Sequence, residues 1–343
     1  MRFETAWLDP ASGITRNFIL TVYPGEVEMF DVKTRKLFLK RTSCTLPTDS
    51  LSAGRAVNVL GRQLRIAAYA DESTGNFFAN HRTSTFALIK PEGYKNLGSI
   101  IQAAIQAGLE ISRLRMGKLS RETAQMLFHD DLIDSISSDV VLGLELSAPE
   151  AVSKWRELLG SIDFDSQTIR GRFGRDVAYG SESKEDAEKE LNLFFESIQK
   201  SAVFDNCSCL LIRPHAMKSA GLILQRVIDS GFEISALQMF NVGRDIADEF
   251  LEVYKGILPE QPEQVSEMSS GSFIVAEIRQ EGVVDKLRKL AGPHDPEIAK
   301  VLRPNTLRAE FGIDRVKNAV HVSDLEEDGV LECQYWFNII NSQ

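Results

Sequence analysis

Two hydrophobic periods divide the chain. Over residues 1–84 apolar positions recur every second residue, the mark of strands with one buried face. Phe18, Leu20 and Val22 alternate with Ile19, Thr21 and Tyr23, and Pro24-Gly25-Glu26 then reads as a turn. Val27 and Met29 open the next strand, Asp31 to Arg35 turns, and Lys36-Leu37-Phe38-Leu39-Lys40 pairs back as a hairpin. Val57–Leu60 and Leu64–Tyr69 add two strands around Gly61. The pattern predicts a small all-β sheet or barrel, with no helical periodicity before Gly98.

From Thr85 the period switches between strand and helix. An apolar strand, Phe86–Ile89, runs into Lys90-Pro91, and Ile100, Ile101, Ala104 and Ile105 then line one helical face. A strand at Glu110–Met116, a helix opening at Ser120-Arg121-Glu122-Thr123 and a strand at Val140–Leu146 follow. Further on come strands at 208–212, 232–240 and 272–278 and helices at 218–230, 243–255 and 280–291. This predicts two α/β domains in tandem, with boundaries near residues 85 and 205 and a linker from Gln199 to Asn206.

The two domains are copies. Phe86-Ala87-Leu88-Ile89-Lys90-Pro91 recurs as Cys209-Leu210-Leu211-Ile212-Arg213-Pro214. Gly108-Leu109-Glu110-Ile111-Ser112 recurs as Gly231-Phe232-Glu233-Ile234-Ser235 at the same spacing. Asp176-Val177-Ala178-Tyr179 answers Asn318-Ala319-Val320-His321, so a tyrosine stands in the first copy where the second has a histidine. Only the second copy has the side chain for histidine chemistry.

Composition narrows the class. Apolar content of 43% and charged content of 26% describe a globular protein of two or three domains. No apolar run reaches the ~20 residues that span a bilayer, and the N-terminus does not read as a signal peptide. Cys44, Cys207, Cys209 and Cys333 lack metal-type pairing and read as core residues of a reducing compartment. Net charge is −10, but residues 1–84 hold eleven Lys/Arg against eight Asp/Glu. A basic head on an acidic body argues against nucleic-acid binding. It suits an acidic partner for the head, through Lys33, Arg35, Lys36, Lys40 and Arg41.

The second copy gathers groups suited to phosphoryl transfer through a covalent histidine. A neutral imidazole offers a nucleophilic lone pair near neutral pH, and cations must absorb charge on the phosphate oxygens. His321 is the candidate nucleophile, with Arg213, Arg288 and Arg308 as phosphate-binding forks. Glu332 is placed to orient the second ring nitrogen, and Ser323 to steer the leaving oxygen. His215 and His294 read as surface histidines near that site.

Asn318-x-x-His321-x-Ser323-Asp324, preceded by Thr306-Leu307-Arg308-x-x-Phe311, resembles the signature of the nucleoside diphosphate kinases. Both copies resemble that family over nearly their full length. The resemblance implies two tandem ferredoxin-like α/β-sandwich domains, at 85–199 and 206–340. It also implies a nucleotide such as ATP carried with Mg²⁺, no other metal, and Asn318 among the nucleotide-binding residues. In the first copy Lys90, Arg156, Arg170, Ser181 and Glu190 keep family positions. Tyr179 replaces the histidine, and the step from Phe173 to Tyr179 is four residues shorter than that from Phe311 to His321. The first site therefore reads as degenerate. In the second, Arg213 stands for the family's lysine and His294 for a threonine, and the base-clamping aromatics are poorly matched around Leu251 and Gln261.

A narrower resemblance is to an axonemal branch of the family with an N-terminal PH-like module. Trp7-Leu8-Asp9-Pro10, Tyr23-Pro24-Gly25, Val27-Glu28-Met29-Phe30-Asp31-Val32-Lys33 and Phe38-Leu39-Lys40-Arg41-Thr42 carry it. It implies tubulin and other axonemal proteins as partners, and a place in the ciliary or flagellar cytoskeleton. The leading expectation is a structural component of doublet microtubules. The alternative is an Mg²⁺-dependent kinase working through phospho-His321. Neither a membrane nor a nucleic acid is expected as partner.

Overall fold

The computed structural model describes residues 1–9, 13–46, 51, 56–81, 83–128, 130–161 and 166–340. Pro10, one carrier of the axonemal resemblance, lies outside them.

Residues 1–82 form one unit. Six antiparallel strands make it: β1 (Arg2–Leu8), β2 (Thr15–Tyr23), β3 (Glu26–Asp31), β4 (Lys36–Ser43), β5 (Ala56–Val59) and β6 (Arg62–Tyr69). They lie in the order β4-β3-β2-β1-β6-β5. The alternating residues read from the sequence, among them Phe18, Leu20, Val27, Met29, Leu64 and Ile66, are wholly buried. At the hairpin, Asp31 accepts from Thr34 N at 2.8 Å and from Arg16 at 2.5 Å. The Thr34 N–H chiefly, and Arg16 after it, hold the Asp31 carboxyl down to about 2.

Two elements correct the sequence reading. The central strand β1 escaped it, because only Phe3 and Thr5 of its inward face are fully buried and Thr5 is polar. A helix, α1 (Glu72–His81), precedes Gly98, contrary to the expectation of an all-β head. Its polar composition hides it. Asp71 Oδ1 caps it by accepting from Thr74 N at 2.7 Å, and Phe78 packs edge-on against Phe3.

Residues 83–343 form the second unit, around one eight-stranded sheet. The first copy supplies β7 (Thr83–Ile89), α2 (Leu97–Gln106), β8 (Glu110–Gly117), α3 (Arg121–Leu127) and α4 (Asp130–Ile136). It continues with β9 (Val141–Ala148), α5 (Ala151–Leu159), α6 (Ile169–Phe173), β10 (Ala178–Gly180) and α7 (Lys184–Ser197). The second copy supplies β11 (Cys207–Ile212), α8 (Ala220–Asp229), β12 (Glu233–Phe240), α9 (Arg244–Phe250) and α10 (Gln261–Met268). It ends in β13 (Phe273–Arg279), α11 (Val283–Ala291), α12 (Pro296–Leu302), α13 (Leu307–Phe311), β14 (Val320–Val322) and α14 (Glu326–Gln334). The helix expected over 243–255 stops at Phe250, and a short 3₁₀ turn takes up Glu252–Tyr254.

Each copy is a ferredoxin-like sandwich, and the strand order β10-β7-β9-β8-β12-β13-β11-β14 reads as one copy followed by its mirror. The copies meet about a pseudo-two-fold axis. β8 and β12 touch through one register pair, Arg115 opposite Gln238. On one face of the sheet α2 packs on α8, and a single core runs through both copies. The contact is reciprocal, as an isologous interface requires. Gln102 Nε2 donates to Lys218 O at 3.1 Å, and Gln225 Nε2 donates to Lys95 O at 2.9 Å. Glycine makes this approach possible: a Cβ on Gly221 would sit 2.4 Å from Gly98 O, and one on Gly98 would sit 2.4 Å from Gly221 O.

Gly221→Val is therefore expected to separate the helices and lower the stability of the 83–343 unit by about 3 kcal/mol, at the upper end for overpacking. Denaturant titration of the full chain checks this; an unchanged midpoint would show that the backbones need not approach so closely.

Candidate functional site

His321 sits at the middle of β14, opposite Leu211 of β11, on the outer edge of the sheet. The chain reaches it through a tight turn. Ala319 has φ +71° and Val320 N donates back to Asn318 O at 2.9 Å. A non-glycine residue there costs roughly 1–3 kcal/mol and persists only where its surroundings hold it. They do so from three sides. Arg213 N donates to Ala319 O at 2.9 Å, the Arg308 guanidinium donates to Val320 O at 3.2 Å, and Ala319 N donates to His215 Nε2 at 3.2 Å. Since His215 Nε2 accepts, its proton lies on Nδ1 and is given to Glu267 Oε1 at 2.8 Å. His215 is thus a buttress of the turn, and the expectation of a surface histidine is corrected.

The His321 ring is 5% exposed and is held through one nitrogen. Nε2 lies 2.9 Å from Glu332 Oε2, which α14 presents. Glu332 Oε2 also accepts from Ser323 Oγ at 2.9 Å, and Ser323 Oγ in turn accepts from Cys209 N. Ser323 is wholly buried, so its hydroxyl fixes the carboxylate and does not reach a leaving oxygen. Phe250 and Tyr254 stand edge-on to the imidazole. With Nε2 facing Glu332, Nδ1 is the nitrogen left to react.

His321 opens into a cleft of about 510 Å³. Five cations line it, Arg213, Arg288, Lys289, Arg303 and Arg308, against two carboxylates, Asp285 and Asp324. Tyr254 Oη donates to Asp324 Oδ2 at 2.7 Å, and Arg288 donates to Asp324 O at 2.7 Å. Burial first, then Asp324, pushes the Tyr254 phenol up, so it stays a donor. Arg308 is pulled down to about 10 by burial and by Arg213 beside it, and it remains a cation. Arg213 is 2% exposed, and its Nε and Nη1 have no hydrogen-bond acceptor among the described residues. Glu267 Oε2 lies 3.7 Å away. Asn318 Oδ1 is likewise buried without a donor. Guanidiniums clustered along one cleft suit phosphate oxygens.

His294 also lines the cleft, with its side chain partly exposed. Asn318 Nδ2 lies 3.2 Å from its Nδ1, and Glu260 lies 3.3 Å from its Nε2. At the positions expected to clamp a base, Leu251 is packed into the core, and Gln261 is buried against Asp248 and Leu251 O.

The first copy keeps this frame without its chemistry. Tyr179 Oη donates to Glu190, Ser181 Oγ braces the same carboxylate, and Phe128 stands edge-on to the Tyr179 ring. Burial and then Glu190 push the phenol further up, so no phenolate forms near neutral pH. Arg170 donates to Gly160 O at 2.8 Å, as Arg308 does to Gly292 O. Arg156 lies 3.8 Å from Glu182. The matching cation Lys90 lies 3.5 Å from Asp176, which occupies the place of Asn318. A carboxylate there, in place of the neutral Asn318, repels phosphate.

Sequence spacing missed Tyr254, Gln264, Glu267 and the role of His215. No motif joins them, although an apolar-flanked His beside Arg213 was the available signal. It also missed that Cys207, Cys333 and Glu277 converge, with ligand atoms within 4.8 Å of one another. Glu277 is already held by Val203 N, Phe204 N and Ser235 Oγ, and the contact with Cys333, then burial, raises the Cys207 thiol. Glu277 thereby tethers the linker.

Both copies match known proteins. The family model for nucleoside diphosphate kinase matches residues 83–199 and 206–341. Nucleoside diphosphate kinase homolog 7 of Rattus norvegicus is 40% identical over 368 aligned residues, covering 99% of this chain and 93% of its own; the Mus musculus protein of that name matches equally. The nucleoside diphosphate kinase of Aquifex aeolicus is 38% identical over 134 residues, 38% of this chain and 92% of its own. A crystal structure of the Aquifex enzyme aligns at 36% identity over 39% of this chain and 96% of that one, with a TM-score of 0.38. With the family matched across both copies, the chain belongs to the nucleoside diphosphate kinase family.

Proposed function

We propose that the second copy binds a nucleoside triphosphate and takes its γ-phosphoryl group onto His321 Nδ1, while the first copy serves as its scaffold. The observation that carries this is the His321–Glu332 pair opening into a cleft lined by five cations. Glu332 accepts from Nε2–H and so leaves the lone pair on Nδ1. That lone pair attacks the γ-phosphorus, the bond to the bridging oxygen breaks, and the nucleoside diphosphate departs. A second diphosphate taking the group back restores the imidazole. Arg213, Arg288, Arg308 and Asn318 hold the phosphates. Mg²⁺ fits as a passenger of the nucleotide, spreading phosphate charge, because Asp324 is already engaged by Tyr254 and Arg288.

A second reading concerns the N-terminal unit. Lys33, Arg35, Lys36 and Lys40 are exposed and have no ion-pair partner among the described residues, whereas Arg41 is spent on Glu26 and the Tyr23 ring. Together with the resemblance of the N-terminal segments to an axonemal branch of the family, this supports docking on the acidic surface of tubulin, in a ciliary or flagellar doublet. The two readings are compatible.

Incubation with ATP and Mg²⁺ is expected to add one acid-labile phosphoryl group, seen by intact mass and absent from His321→Ala. Glu332→Gln, which allows the wrong ring tautomer, should slow its formation on the order of 10²-fold. An adduct that persists in His321→Ala refutes the assignment. Microtubule co-sedimentation is expected for the wild type and lost in Lys33→Glu/Arg35→Glu/Lys36→Glu; equal pelleting of both rejects the hairpin. Burial, and then Arg308 and Arg213, hold His294 below its ordinary 6.5. The unfolded chain therefore takes that proton first, and stability present above pH 6.5 is lost as pH falls through the folded value. Denaturant titrations at about pH 7.5 and about pH 5.5 should show a smaller acid loss in His294→Gln than in the wild type; identical losses would exclude His294 as the source.

A further inference from the structure

On the sheet face opposite α2 and α8 the two copies keep separate cores. One gathers under α7 around Phe194, the other under α14 around Phe240 and Trp336. Between them, where β8 meets β12, lies an open cleft of about 250 Å³. Arg113 and Arg115 of β8 line it on the side away from Leu114 and Met116, which belong to the shared core. The Arg113 guanidinium lies 3.9 Å from the centroid of Phe195. Arg115 is half-buried, and burial together with Arg113 pulls it below its ordinary value.

Neither arginine has an ion-pair partner among the described residues, in a chain of net charge −10. The carboxylate opposite Arg113 in the register, Glu145, accepts from Ser84 Oγ at 2.7 Å instead. Nor does the fold require cations here. The spacing of 123 that relates Gly98 to Gly221 relates Arg113 to Ala236 and Arg115 to Gln238, both uncharged. Two like charges have been set side by side, one of them partly desolvated, at a cost that an anionic partner would relieve.

We propose that this cleft binds an acidic segment of a partner protein in extended conformation. Residues two apart on a strand stand about 6.6 Å apart, the spacing of alternate side chains in an extended peptide. Two carboxylates at that interval meet both guanidiniums, and Phe195 and Phe240 offer apolar walls to the residues between them. A single phosphate would engage only one end of the pair. The site is separate from the nucleotide cleft, which opens at the outer edge strand.

A fluorescein-labelled peptide of alternating glutamate and threonine, titrated into the full chain and followed by anisotropy, tests this. Binding is expected to weaken with salt. Arg113→Gln/Arg115→Gln, which copies the neutral side chain of Gln238, should lower affinity at least about tenfold. Gln238→Glu, which fills the cleft with its own carboxylate, should do the same without removing either arginine. Arg288→Gln and Lys33→Gln/Arg35→Gln/Lys36→Gln should leave binding unchanged. The proposal is overturned if the peptide does not bind, if both cleft variants bind as the wild type does, or if the loss falls on the Arg288 or hairpin variants. It is also overturned if inorganic pyrophosphate displaces the peptide at equal concentration, which would make this a small-anion site.

Discussion

The approach of two glycines governs the architecture of residues 83–343. Gly98 and Gly221 let the backbones of α2 and α8 touch, and Gln102 and Gln225 then reach across to carbonyls that are each other's images. Tyr94 adds a bond of the same kind, exchanging hydrogen bonds with the backbone of Ile234. With the helices this close, one apolar core extends beneath both copies and β8 comes alongside β12. The edge strands β10 and β14 are thereby carried to the far ends of the sheet, each with its own site. The distance between the sites is a product of the central contact.

Much of this was legible in the sequence, for a physical reason. Repetition at fixed spacing survives divergence because both copies bury the same faces, so Ile89 and Ile212, or Leu144 and Ala276, fill matching places in the core. His321, Asn318, Arg308 and Glu332 lie within one short stretch whose order is itself a motif. Residues recruited from afar were illegible. Glu267 reaches His215 across 52 positions, and Tyr254 reaches Asp324 across 70. Helix α1 was lost to polar composition, since its anchors are few: Phe78, Phe77 and the buried Thr74, which accepts from Arg2 N. Ser323 belongs to the site as its spacing implies, yet it steers no leaving oxygen, because burial between Cys209 N and Glu332 leaves it no view of the cleft.

The comparison of the copies separates what holds a site together from what makes it react. Carboxylate, hydroxyl, edge-on phenylalanine and capping arginine recur in both. They are the frame, and they outlast the chemistry. Among the differences are the nucleophile, Asp176 against Asn318, and the turn, where Ala319 is forced into a left-handed conformation and Val177 is not. At this turn, the left-handed residue belongs to the copy that holds a histidine to present.

The shared sheet also changes the thermodynamics of pairing. Two identical subunits joined through such a contact would separate on dilution, and each would have to keep a surface that fits its twin. Here a short linker joins the halves, and their association is intramolecular, set by tether length rather than by protein concentration. Self-complementarity is no longer demanded, because the chain cannot meet its own half in the wrong pairing more readily than the right one. The central strands were thus free to become unlike, arginines on one and neutral residues on the other, giving a symmetric frame a directional surface.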